Sequence, residues 1–143
     1  MFEGGTTFEK TFPLGEFPVF IREGAMVPLN IQRSYTGLGN ETNTGKDTWL
    51  IYPGMDNGFT LYHPDKSGAT TLSMRNLPGL VEIKVTDARK PSVYTLRMEN
   101  RPAKVLFNEV ELRDSADYVF DQQKHRLTVK IDRVSDGVIR LIN

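Results

Sequence analysis

From Trp49 to the C-terminus, apolar and polar residues alternate with period two, and no window holds the i, i+3, i+4, i+7 apolar spacing of an amphipathic helix. A chain with that rhythm buries one face of each strand and wets the other, so the expected class is all-β. Leu80–Thr86 is the clearest case: Val81, Ile83 and Val85 point one way, and Glu82, Lys84 and Thr86 the other. Tyr94, Leu96 and Met98 alternate in the same manner with Thr95, Arg97 and Glu99. The polar, proline-containing connection 87–92 predicts a hairpin between these two runs. Further strands are expected at 104–107, 110–112, 118–120, 126–131 and 138–142, separated by turn-like segments such as Phe107-Asn108-Glu109 and Ser135-Asp136-Gly137. Strands at such regular spacing predict an antiparallel β-sandwich.

Upstream, residues 48–53 and 58–62 predict a second hairpin around Met55-Asp56-Asn57-Gly58, with Trp49 and Ile51 facing the core. Residues 34–46 differ: Gly37, Gly39 and Gly45 alternate with Asn, Thr and Ser, and no apolar rhythm survives, which reads as a linker or long loop. It sets apart an N-terminal piece with strands expected near 17–21 and 25–29. That piece is too small to bury a core alone, so it either docks on the main body or is the β remnant of a neighbouring sheet.

Composition narrows the partners. The 143 residues suffice for one core without disulfides or a structural metal. Eighteen basic residues balance eighteen acidic ones, so no global field attracts nucleic acid or an anionic membrane. Apolar runs such as Val19-Phe20-Ile21 are far too short to span a bilayer, and the chain reads as soluble. There is no cysteine, which removes thiol catalysis, disulfides and thiolate metal sites and leaves the compartment open. His63 and His125 lack the paired spacing of a metal set and read as loop histidines. Asp114, Asp117 and Asp121 lack the ordered oxygen-rich loop of a calcium site and read as a solvated turn. No serine-nucleophile elbow or phosphate-cradling glycine loop is present, so no cofactor is expected. Trp49, Tyr35, Tyr52, Tyr62, Tyr94 and Tyr118 could stack on a sugar, but core and hairpin packing is the default for most of them. Asn40-Glu41-Thr42 matches a glycosylation sequon, a triplet frequent by chance.

Two segments point further. Residues 13–29, Pro-Leu-Gly-Glu-Phe-Pro-Val-Phe-Ile-Arg-Glu-Gly-Ala-Met-Val-Pro-Leu, contain a Pro-Leu, an apolar-Pro-apolar run, an Arg-x-Gly turn and a closing apolar-Pro. Physically this is a strand, a turn at Glu23-Gly24 where glycine accepts positive φ, and a second strand ended by Pro28. Residues 50–62 read Leu-Ile-Tyr-Pro-Gly-Met-Asp-Asn-Gly-Phe-Thr-Leu-Tyr. The first segment resembles the one that follows the catalytic barrel in family 31 glycoside hydrolases, and the second resembles the opening of the distal C-terminal β-sandwich of the same family. Both stand in the family's order and spacing, and 101–112 is similar to the last hairpin of such domains. One departure is the turn after Tyr62: His63-Pro64-Asp65-Lys66-Ser67-Gly68 stands where many members carry a glutamate, two aspartates and a glycine.

The resemblance implies an organisation: 1–33 as the end of the proximal C-terminal β-sheet domain, 34–45 as linker and 46–143 as the distal sandwich. It also implies a retaining α-glycosidase, α-glucosidase or α-xylosidase-like, as parent. Retaining chemistry needs two carboxyl groups roughly 5 Å apart across the scissile bond. In the family both belong to the (β/α)8 barrel, which has no counterpart in this alternation pattern. No catalytic, metal or cofactor residue is therefore assigned, and no sugar-binding residue is singled out. The expected partner is the parent's catalytic barrel, and the expected role is a non-catalytic brace in carbohydrate metabolism. The rival expectation is an autonomous carbohydrate-binding β-sandwich that holds an oligosaccharide or polysaccharide.

Overall fold

The structure is a computed structural model that describes residues 4–7, 9–16 and 19–143. Eleven strands among the described residues form two facing sheets. One sheet runs β1 (Met26–Leu29), β2 (Asp47–Ile51), β6 (Ser92–Arg97), β10 (Arg126–Ile131) and β9 (Tyr118–Asp121). The other runs β3 (Asn57–Tyr62), β4 (Ala69–Leu77), β5 (Leu80–Thr86), β11 (Gly137–Ile142), β7 (Lys104–Phe107) and β8 (Val110–Glu111). All pairings between these strands are antiparallel except β2 with β6, which run parallel. The all-β sandwich read from the alternation is the fold observed.

The alternation decides the packing. Trp49, Ile51, Tyr94, Leu96, Leu127 and Val129 from the first sheet meet Leu72, Met74, Ile83, Val85, Val105, Ile139 and Leu141 from the second, and all are buried in one core. The Trp49 ring meets Phe59 edge-on, with centroids 5.8 Å apart, an arrangement favoured by the aromatic quadrupole.

Both expected hairpins are absent. β2 and β3 lie in opposite sheets, and so do β5 and β6. In each case the short connection arches over the end of the core instead of turning back along an edge. Alternation states which residues face inward, and both sides of an arch satisfy it equally. The antiparallel neighbours of β4 are β3 and β5, the latter through Pro78-Gly79 with Gly79 at φ +75. Residues 69–77 were not singled out in the sequence, although Thr70, Leu72 and Met74 alternate there with Thr71, Ser73 and Arg75.

Of the two arrangements open to the N-terminal piece, docking holds for β1. Its register on β2 pairs Met26 with Ile51 and Leu29 with Thr48. Pro28 does not end this strand but sits inside it, tolerated because an edge strand can leave one side unpaired. The other expected strand, 17–21, falls partly outside the described residues, and Val19–Ile21 form no strand.

The glycine-rich segment crosses the outer face of the first sheet through two short 3-10 turns, Ser34–Thr36 and Glu41–Asn43. Ile31 and Asn43 are buried there, and Asn43 Nδ2 donates to Thr48 Oγ1 at 3.4 Å. Arg126 Nη1 donates to Gly37 O at 2.6 Å, and Lys46 pairs with Asp132 at 2.5 Å. This strap explains why β6 is buried on both faces, Val93 and Thr95 included.

Candidate docking face

The two segments that carry the family resemblance meet in space. Gly24 N donates to Tyr52 O at 2.7 Å and Tyr52 N to Ala25 O at 2.9 Å, which continues the β1–β2 ladder into the turn before β1. Asn57 Nδ2 donates to Gly24 O at 2.8 Å, tying that turn to β3 in the opposite sheet. Arg22 Nη2 reaches Met55 Sδ at 3.8 Å. Asn76, from β4, closes the group: its Nδ2 donates to Gly54 O at 2.9 Å and its backbone N–H to Asp56 Oδ1 at 2.8 Å. Gly24 sits at φ +81 with its α-carbon against Met55, and a Cβ there would lie 2.6 Å from Met55 Cγ. The positive φ favours glycine at this point, whereas the exposed Met55 side chain could move aside for a Cβ.

Around this junction opens a cleft of about 1590 Å³ between Lys10, Phe12, Glu16 and residues 19–23 on one side and the sandwich end formed by 52–55 and 97–103 on the other. Its walls include Phe12, Phe20, Ile21, Tyr52 and Met98, and Arg22, Glu23, Arg97, Glu99 and Arg101 supply charge. Val19 is 77% exposed and Phe20 62%, and Ile21 and Met55 are exposed on the same cleft. Single exposed apolar side chains are ordinary on a protein surface. A run of them bordering a cleft with a charged rim has the composition of a contact surface.

The remaining sequence candidates are dispersed, and most have partners nearby, whereas the buried His63 Nδ1 and Trp49 Nε1 have no hydrogen-bond partner among the described residues. His63 Nε2 lies 3.0 Å from Thr70 Oγ1, and that hydroxyl donates to Asp87 O. His125 Nδ1 lies 3.2 Å from Glu99 O, on a different part of the surface. Asp114, Asp117 and Asp121 pair with Arg101, Arg113 and Lys124 respectively. Each of these acidic groups thus has its own cation, and no group of metal-ligating side chains is brought together among the described residues. Arg113 donates to Asp117 from its side chain and its backbone N–H, which brings the Asp117 carboxyl down to about 2. The hydrogen bonds from Ser67 lower Asp65 in the same way. Of the aromatic candidates, Trp49, Tyr94 and Tyr118 are buried, and burial pushes the Tyr94 phenol up to about 12. Tyr35 and Tyr62 are exposed. Asn40 caps a 3-10 turn, its Oδ1 accepting from Thr42 N and Thr42 Oγ1.

What sequence reasoning did not find is the junction itself. Gly24, Gly54, Asn57 and Asn76 come together only through tertiary packing, and only the two glycines and Asn57 lay in segments already marked by their pattern.

No protein-family model matches the sequence, and no curated protein matches it. Solved structures do match in fold. The cycloalternan-forming enzyme of Listeria monocytogenes, solved with a pentasaccharide substrate, is 18% identical with a TM-score of 0.69, over 85% of this chain and 13% of that one. A GH31 dextranase of Flavobacterium johnsoniae, complexed with glucose, is 16% identical with a TM-score of 0.67, over 88% of this chain and 20% of that one. The α-1,4-glucan lyase of Gracilariopsis lemaneiformis is 19% identical with a TM-score of 0.66, over 90% of this chain and 17% of that one. At these identities the likeness is one of fold. The sandwich is the fold found within a GH31 enzyme, the group that the two segments resemble, and the chain spans a fifth or less of these solved chains.

Proposed function

We propose that the chain is the non-catalytic C-terminal accessory region of a family 31-type retaining α-glycosidase, and that its docking face meets the parent's (β/α)8 barrel. The observation that carries this reading is the convergence of both family-like segments on one junction, bordered by exposed Val19, Phe20, Ile21 and Met55. In this arrangement residues 1–33 belong to the proximal sheet domain, 34–45 connect and 46–143 form the distal sandwich, with β1 as a strand shared across the border. The hydrogen bonds of Tyr52 and Asn57 to the turn before β1 hold the two parts in a fixed relation, so a barrel seated on 10–23 is braced by the sandwich core. The carboxylate pair of the reaction belongs to the barrel, and no residue here takes a catalytic role.

The test is association in trans. The upstream portion of the parent, ending before residue 1, is mixed with the 143-residue chain, and complex formation is followed by analytical ultracentrifugation. A complex weakened by Val19→Asp is expected. Absence of any complex, together with retardation of the chain in polysaccharide-containing gels, would favour the rival carbohydrate-binding module. The exposed rings of Tyr62 and Tyr35 are what speaks for that rival. Under it, retardation should vanish on Tyr62→Ala.

A further inference from the structure

Asn57-Gly58 is the one Asn-Gly pair in the sequence, and it opens β3, an edge strand whose first two residues are exposed. The Gly58 N–H donates to Asn57 Oδ1 at 2.9 Å, so the backbone nitrogen already lies against the side-chain amide of its predecessor. Glycine brings no side chain to shield that nitrogen. The other end of the same amide has a structural task, because Asn57 Nδ2 is the donor that ties the turn before β1 to β3 through Gly24 O.

We propose that Asn57-Gly58 is a self-modification site whose deamidation uncouples the docking junction. Gly58 N gives its proton to solvent base and bonds to Asn57 Cγ. The Cγ–Nδ2 bond breaks and ammonia leaves, closing a five-membered succinimide. Water then opens either ring carbonyl, giving aspartate or isoaspartate at position 57. No redox partner or enzyme is required. Either product lacks the Nδ2 donor, and a carboxylate oxygen then faces the Gly24 carbonyl, two acceptors with no hydrogen between them. The isoaspartate also adds a carbon to the main chain and shifts the start of β3 relative to β4. Residues 22–25 lose the hydrogen bond that ties their turn to the second sheet.

The full chain is aged at mildly alkaline pH and followed by peptide mass mapping with isoaspartyl methyltransferase labelling, alongside hydrogen–deuterium exchange of residues 22–26. Asn57 is expected to convert ahead of Asn76 and Asn108, and the aged protein to exchange faster over 22–26. Conversion should be lost in Gly58→Ala, whose Cβ would meet only Leu72 O, at 3.4 Å. It should also be lost in Asn57→Gln, which serves if the alanine variant does not fold. Asn57→Asp should reproduce the faster exchange without ageing. Conversion of Asn57 no faster than that of Asn76, or unchanged exchange in Asn57→Asp, would overturn the proposal.

Discussion

Gly137 shows how a single position can be decided by a distant neighbour. A Cβ there would come within 2.6 Å of the Phe107 ring and 2.5 Å of Asn108 Oδ1. Phe107 is buried, and Asn108 is held by two contacts to β11: its N–H donates to Val138 O and its Oδ1 accepts from Val138 N. Neither neighbour can yield, so Gly137→Ala should lower stability by about 1–3 kcal/mol, the usual range for overpacking, read as a lower urea midpoint with an unchanged slope. The sequence marks 107–109 and 135–137 as turns, yet nothing local reveals that the two turns press on each other. Asn108 and Glu109 both have positive φ, as a tight two-residue hairpin turn requires. Asp117 supports a pH prediction. Its folded-state carboxyl is depressed to about 2 from the ordinary 3.8 by Arg113. Its stabilising contribution is therefore complete above the ordinary value and is lost as pH falls through about 2. Arg113→Ala should return the Asp117 carboxyl carbon titration, followed by NMR, toward 3.8.

At the scale of elements, most strands and their inward faces were legible, β4 was missed, and sheet membership was not legible. Val81, Ile83 and Val85 lie in the core as their alternation requires, and so do Tyr94 and Leu96. The hairpin expected between those two runs fails because residues 87–91 arch between sheets, with Asp87 at φ 56 and Ala88 N held by Asp136 Oδ1 at 2.8 Å. A two-layer core rewards the arch and the hairpin with the same burial, and only the long-range partners β11 and β10 decide between them. The strap was legible as irregular backbone but not as a cover, because its anchors Arg126 and Asp132 are remote in sequence. β1 contributes most visibly to stability. Removing residues 1–23 should leave the urea midpoint nearly unchanged. Removing 1–33 strips β2 of one of its two neighbours and takes away buried Met26 and Ile31, which should cost on the order of 3 kcal/mol after the entropy of ordering the segment is offset.

For the whole molecule, one hydrophobic core joins the two sheets, and exposed Val19, Phe20 and Ile21 border the cleft at one end. Val19→Asp, at a side chain 77% exposed, should leave the thermal midpoint of the isolated chain unchanged while reducing its binding of a hydrophobic dye. The resemblance to family 31 glycoside hydrolases was legible because its two segments are local patterns, whereas the junction they build depends on pairings between β1, β2, β3 and β4. The central claim is that this chain braces a catalytic barrel and performs no hydrolysis itself. The most direct measurement is turnover of p-nitrophenyl α-glucoside and α-xyloside by the 143-residue chain beside the same chain extended upstream through the parent's barrel. The account predicts an inactive chain and an active extended protein. Turnover by the purified chain alone, surviving removal of contaminating enzyme, would contradict it.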